Sequence, residues 1–202
     1  MAEVFLIRHG ETEWSANHRH TSYTDVDLTA TGVRQAAALG GRLAGRTFAA
    51  VLSSPRRRAL RTAEIAGLNV TDVDEDLAEW NYGEYEGITT KEIRQCRPDW
   101  DLWTQGCPGG ESPADVQRRI DRLWSKVVRL LDRGDVALVA HGHSLRVAGA
   151  RWIDLPASGG GRLRLDTATL CGLGYEHGRP VILHWNQVVT ADPPAPAGPA
   201  RH

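Results

Sequence analysis

No apolar run in this chain of 202 residues approaches the roughly 20 residues that a membrane span requires. The N-terminus Met1-Ala2-Glu3-Val4-Phe5-Leu6 reaches charged Arg8 too soon to form a signal peptide. Both absences point to a soluble, cytoplasmic protein. Cysteine is scarce: Cys96, Cys107 and Cys171 are an odd number without metal-ligand spacing, which excludes a disulfide framework and suits a reducing compartment. A surplus of charge is lacking as well. The formal net charge of -1 provides no global field towards nucleic acid or an anionic membrane, so any anion recognition must be local. Lysine occurs only at 91 and 126 in an arginine-rich chain, a compositional bias that carries no functional message.

What is present is enough apolar material, 41% of the residues, for one sizeable core. The expected organisation is a single domain over 1–190 followed by a flexible Pro/Ala-rich tail at 191–202. Val4 to Ile7, Phe48 to Leu52 and Val136 to Ala140 are short apolar runs, each closed by polar residues, and read as buried strands. Thr29 to Leu43, Pro55 to Ile65, Val116 to Leu131 and Leu145 to Ile153 carry helical spacing. Thr169 to Tyr175 and Val181 to Trp185 predict an edge hairpin. Strands alternating with helices argue for an α/β, three-layer sandwich with a mostly parallel central sheet flanked by helices. The segment from Tyr82 to Ser112, broken by glycine and proline, is expected to run over the active face as a partial lid.

Ligands of open α/β sheets bind at the carboxyl ends of strands, and three polar clusters begin where predicted strands stop. They are Arg8-His9-Gly10, Ser53-Ser54-Pro55 leading to Arg58, and His141-Gly142-His143. If the strands are parallel neighbours, two imidazoles and two guanidinium forks meet, which complements the spread negative charge of a phosphoryl group in transfer. A neutral imidazole can attack phosphorus. Glu79, beside the aromatic Trp80 that favours its protonated form, is the candidate acid for the leaving oxygen.

At this point the chain resembles the histidine phosphatase superfamily, which includes the cofactor-dependent phosphoglycerate mutases and many small phosphatases. The resemblance rests on Arg8-His9-Gly10-Glu11-Thr12, Leu28-Thr29-Ala30-Thr31-Gly32, Ser53-Ser54-Pro55 with Arg58, Glu79 with Gly83 and Glu86-Gly87, Gly109-Gly110-Glu111-Ser112 and Ala140-His141-Gly142, in order over about residues 4 to 186. It implies a phosphoglycerate mutase-like fold, no metal and no cofactor. It further implies His9 as the phosphorylated nucleophile, Arg8 and Arg58 as the phosphoryl clamp, His141 as a donor, and Glu79 as the acid that later activates water. Gly142, Thr21, Ser22 and His143 are the candidate substrate contacts. Two departures stand out. His143 takes a place where the mutases often have asparagine, and the stretch Pro98 to Trp103 is shorter than the mutase insertion that supplies a carboxylate clamp.

Plainer readings compete with these. Arg56, Arg57 and Arg61 read as a solvated face. A metal pair at His141 and His143 is disfavoured, because no carboxylate or cysteine cluster accompanies it and the arginines repel a cation. Trp80, Tyr82, Trp100 and Trp103 serve packing as well as they would serve substrate stacking. The leading reading is an acid phosphatase-like phosphomonoesterase acting on a small phosphorylated metabolite. A mutase and a non-catalytic phospho-ligand binder are the alternatives, and a homodimer is compatible with the sequence.

Overall fold

The computed structural model describes residues 2–189, so the tail expected at 191–202 lies outside the described residues. The architecture follows from parity. In strand β1 (Val4–Arg8), Val4 and Leu6 enter one core while Phe5 and Ile7 enter another. In strand β4 (Val136–Ala140), Val136, Leu138 and Ala140 join the first core, and Ala137 and Val139 the second. Strands apolar on both faces must be the middle layer. Truncating such a residue, for example Leu138→Ala, costs about 2–5 kcal/mol.

Strand β1 pairs in parallel with β4 and antiparallel with β5 (Thr169–Glu176). Strands β2 (Ala50–Ser53) and β3 (Asp72–Val73) extend the parallel side, and β6 (Arg179–Val188) closes the antiparallel one, giving the order β3-β2-β4-β1-β5-β6. After the single turn of helix α1 (Glu13–Ala16), helices α2 (Ala30–Leu43) and α3 (Arg57–Ile65) cover one face through Ala36, Leu39, Leu43, Ala59 and Ala63. Helices α6 (Pro113–Leu131) and α7 (Gly142–Trp152) cover the other through Val116, Ile120, Leu123, Val127 and Leu145. The three-layer sandwich with a mostly parallel sheet is as expected.

Boundaries moved where caps, rather than apolar periodicity, set them. Helix α6 starts at Pro113 because Ser112 and Asp115 form a reciprocal capping box, ahead of the first apolar residue of its stripe. Helix α7 starts at Gly142, directly after β4, and not at Leu145 where the apolar spacing begins. Between Tyr82 and Ser112 the chain forms two short helices, α4 (Thr90–Cys96) and α5 (Leu102–Gln105). This segment is packed in place, with Tyr85, Ile93, Trp100 and Leu102 in the first core and the Trp100 indole donating to Gly106 O at 2.9 Å. Among the described residues no helix is long and apolar enough to cross a membrane.

Candidate active site

Strands β2, β4 and β1 lie side by side and parallel, so their carboxyl ends open onto one spot. The pairing carries into the loops: His9 N donates to Ala140 O at 3.0 Å and Ser54 N to Val139 O at 2.9 Å. His9, His141 and Arg58 are thereby brought together and are at most 5% exposed. The His9 and His141 ring centroids stand 5.2 Å apart.

Hydrogen bonds fix which ring nitrogens carry protons. His9 Nδ1 lies 2.7 Å from Gly10 O, which can only accept, so Nδ1 bears the hydrogen and Nε2 a free lone pair. Arg58 Nε donates to His141 Nδ1 at 3.1 Å, so the hydrogen of His141 is on Nε2, where it donates to Ser54 Oγ at 2.7 Å. One imidazole thus presents a lone pair at Nε2 and its neighbour a hydrogen. Burial, reinforced by the Arg58 guanidinium, holds both rings well below the ordinary histidine range, so both are neutral. Arg58 is seated by the carbonyls of Thr21, Ser22 and Thr24 at 3.0 to 3.2 Å. Arg8 Nη1 donates to Leu165 O at 2.6 Å, while its Nε is buried without a partner. Gly142 admits that guanidinium: a Cβ there would stand 3.2 Å from Arg8 Cζ.

Glu79 is 8% exposed and held by backbone. Its Oε1 accepts from Trp80 N at 2.9 Å and Ser144 N at 2.8 Å, and its Oε2 accepts from His143 N at 3.0 Å. Two of these N–H groups belong to the first turn of α7, where unpaired donors and the helix dipole favour a carboxyl group. The expected aromatic environment gives way to this one, because the Trp80 indole turns to Glu111 O at 2.9 Å. With two lone-pair sites on each oxygen, Oε2 keeps one free to exchange a proton.

The Glu79 loop is itself clamped. Arg119 Nη1 donates to Asp76 O and Ala78 O, both at 2.8 Å, and the same guanidinium forms a bidentate pair with Glu111. Glu111 Oε2 in turn accepts from Asn81 N at 2.8 Å. The Gly-Gly-Glu-Ser motif therefore supports Glu79 from behind.

Arg8, His9, Glu79 and Gly142 line a pocket of about 250 Å³ together with Ser15, His18, Arg19, His20, Thr21, Tyr82, Thr90, His143, Arg146 and Leu165, while Arg58 and His141, fully buried, lie outside its lining. Of the four expected substrate contacts, Gly142, Thr21 and His143 lie on its lining. Ser22 does not, since its Oγ donates to Glu86 Oε2 at 2.6 Å and its backbone carbonyl holds Arg58. Burial raises Tyr82 well above the ordinary phenol value, helped by Glu79, so its hydroxyl keeps its proton and hydrogen-bonds His143 Nδ1 at 2.6 Å. His143 is kept uncharged chiefly by burial and then by Arg146. Burial likewise pushes His20 down to about 4, against the pull of Glu86. Arg146 and Arg19 were not singled out from the sequence. Arg146 could have been, because it lies one helical turn after His143 on the helix that follows the His141 cluster.

Among the described residues no three His, Cys, Asp or Glu side chains group as a metal site. A second cavity of about 420 Å³, between the carboxyl ends of α2 and α3, contains one charged group, Arg46, and no histidine or carboxyl.

The chain matches the model of the histidine phosphatase superfamily (branch 1) over residues 4–188. An acid phosphatase of Mycobacterium tuberculosis is 47% identical over 178 residues, 87% of each chain. The sedoheptulose 1,7-bisphosphatase of Saccharomyces cerevisiae is 32% identical over 181 residues, covering 74% of this chain and 67% of the relative. A solved structure of a Mycobacterium tuberculosis open reading frame product superposes with a TM-score of 0.91 at 43% identity, over 94% of this chain and 99% of that one. With strand ends, paired imidazoles and forked cations arranged as described and the match spanning nearly all the described residues, the chain belongs to the histidine phosphatase superfamily.

Proposed function

We propose that this chain hydrolyses a small phosphorylated metabolite in two steps, without a metal or cofactor, as one working unit over residues 1–190. In the first step the free lone pair of His9 Nε2 attacks phosphorus and the ester P–O bond breaks. The proton on Glu79 passes to the leaving oxygen, releasing an alcohol. In the second, Glu79 takes a proton from water, the oxygen of which attacks phosphorus; the P–N bond breaks, and His9 is freed with inorganic phosphate.

Arg8, Arg58 and His141 Nε2 hold the phosphoryl oxygens. Charge that develops on these oxygens meets donors already fixed by their own partners, so little reorganisation is needed during reaction. The observation that carries this reading is the opposite protonation of two adjacent imidazoles, with Nε2 a lone pair on His9 and a donor on His141. Return of the phosphoryl group to a second substrate, as in a mutase, shares the first step. Hydrolysis is favoured by the 47% identity to an acid phosphatase.

Phosphate release from p-nitrophenyl phosphate in excess chelator tests the reading. Turnover is expected for the wild type, together with a loss of about 10⁴-fold or more for His9→Ala. Full activity in that variant would sink the proposal, and phosphoryl return to an added alcohol acid at a rate above hydrolysis would favour the mutase.

A further inference from the structure

Arg146 is a cation that the phosphoryl chemistry leaves over. Its guanidinium lies 4.4 Å from the ring centroid of Trp103, and its Nε and Nη2 donate to Gly160 O at 3.0 Å and Gly161 O at 3.1 Å. The seat is built for it. A Cβ at Gly160 would stand 2.7 Å from Trp103, and one at Gly161 3.0 Å, so glycine at both positions lets the indole lie flat under the arginine. Among the described residues Arg146 has no ion pair, although burial lowers its pKa and so works against its charge. A partly buried, unpaired guanidinium is costly, and this one lines the pocket with no hydrogen bond from its remaining Nη1 among the described residues.

Its place in that pocket says what it faces. Among the described residues the only carboxyl group on the lining is Glu79, held by N–H groups from the first turn of α7. Arg146 stands three residues after His143 on the same helix and lines the same pocket. Under the function proposed above, on which this inference rests, the alcohol departs past Glu79 and therefore along Arg146.

We propose that Arg146 receives a second anionic group on the alcohol portion of the substrate. The preferred substrates are then phosphomonoesters that carry a carboxylate or a further phosphate a few atoms from the scissile ester. A charged hydrogen bond of this kind should favour them by about tenfold or more in kcat/KM.

The test uses propyl phosphate, its analogue ending in a carboxylate and its analogue ending in a second phosphate. For the wild type the kcat/KM ratio of either anionic analogue to propyl phosphate should be about tenfold or more, shrinking as salt is raised. In Arg146→Gln the ratio should fall towards unity; Trp103→Leu, which removes the seat and keeps the charge, should lower it part of the way. The two analogues distinguish a carboxylate site from a phosphate site. Turnover of all three esters without preference, or a preference that survives Arg146→Gln, overturns this inference and leaves the phosphatase reading standing. Failure to turn over any of the three, or p-nitrophenyl phosphate, removes both.

Discussion

The floor and the rim of the pocket are built in different ways. On the floor, His9, Ser54 and His141 follow directly from the ends of three adjacent parallel strands, and every ring nitrogen of the two histidines except His9 Nε2 has a defined partner. On the rim, Arg19, Thr21, Tyr82, His143 and Arg146 come from a loop, a turn and one face of a helix. The sheet fixes the floor by its own ladder, so under the proposed function the floor would serve any phosphoryl group. The rim is placed by side-chain packing, and it is where a substrate's alcohol would be recognised.

This contrast can be broken by mutation. Removing a floor donor should cost the most and should not depend on the substrate: His141→Ala should lower kcat by about 10²–10³ for every phosphomonoester tried. A loss confined to one substrate would erase the distinction. Next in size is the clamp behind Glu79. Arg119→Met should slow alkyl phosphates about tenfold more than p-nitrophenyl phosphate, whose good leaving group needs no proton, a fraction of the 10²–10⁴ a general acid supplies. Equal losses on both would mean that Arg119 acts on stability alone, and denaturant unfolding of the same variant measures that part. Smaller still is the effect expected on the rim from Tyr82→Phe, which removes the hydrogen bond to His143. A change of about two- to tenfold, seen mainly in KM and varying among substrates, is expected from the loss of one hydrogen bond.

Acidity separates chemistry from stability. His9 and His141 have folded pKa values well below the ordinary histidine value, chiefly through burial and then through Arg58. In kcat/KM profiles, their protonation should therefore not appear near 6.5, and activity should persist into acid. Stability behaves differently. The unfolded chain takes up these protons at about 6.5 while the folded chain does so only at lower pH, so stability is full above that value and falls as pH drops through it. A urea midpoint independent of pH between 7.5 and 5 would contradict this.

The floor was legible because strand-ending residues can be read one after another: an apolar run, then Arg8-His9-Gly10 or His141-Gly142-His143. Parallel neighbours then leave little freedom in where those side chains meet. Glu79 was legible as a residue but not in its surroundings. Backbone N–H groups at the start of α7 hold it, and apolar spacing placed that helix three residues late, since Gly142 and His143 add nothing to a hydrophobic stripe. Ser22 shows the reverse: its side chain, expected in the pocket, is spent on Glu86, a contact across 64 residues that no local pattern encodes. Arg146 escaped because its role depends on Trp103 and on two carbonyls of a glycine run, all distant in sequence.

The bond from His141 Nε2 to the Ser54 hydroxyl bears on how readily product departs. If His141 holds the phosphoryl group as proposed, an arriving oxygen displaces that hydroxyl and gains only the difference between two contacts and not a whole one. Ground-state affinity for inorganic phosphate is discounted accordingly, and the serine stands ready to refill the place that the departing ion gives up. The full strength of the exchange is felt only while the oxygens carry the extra charge of the reacting species, a built-in bias towards turnover over retention.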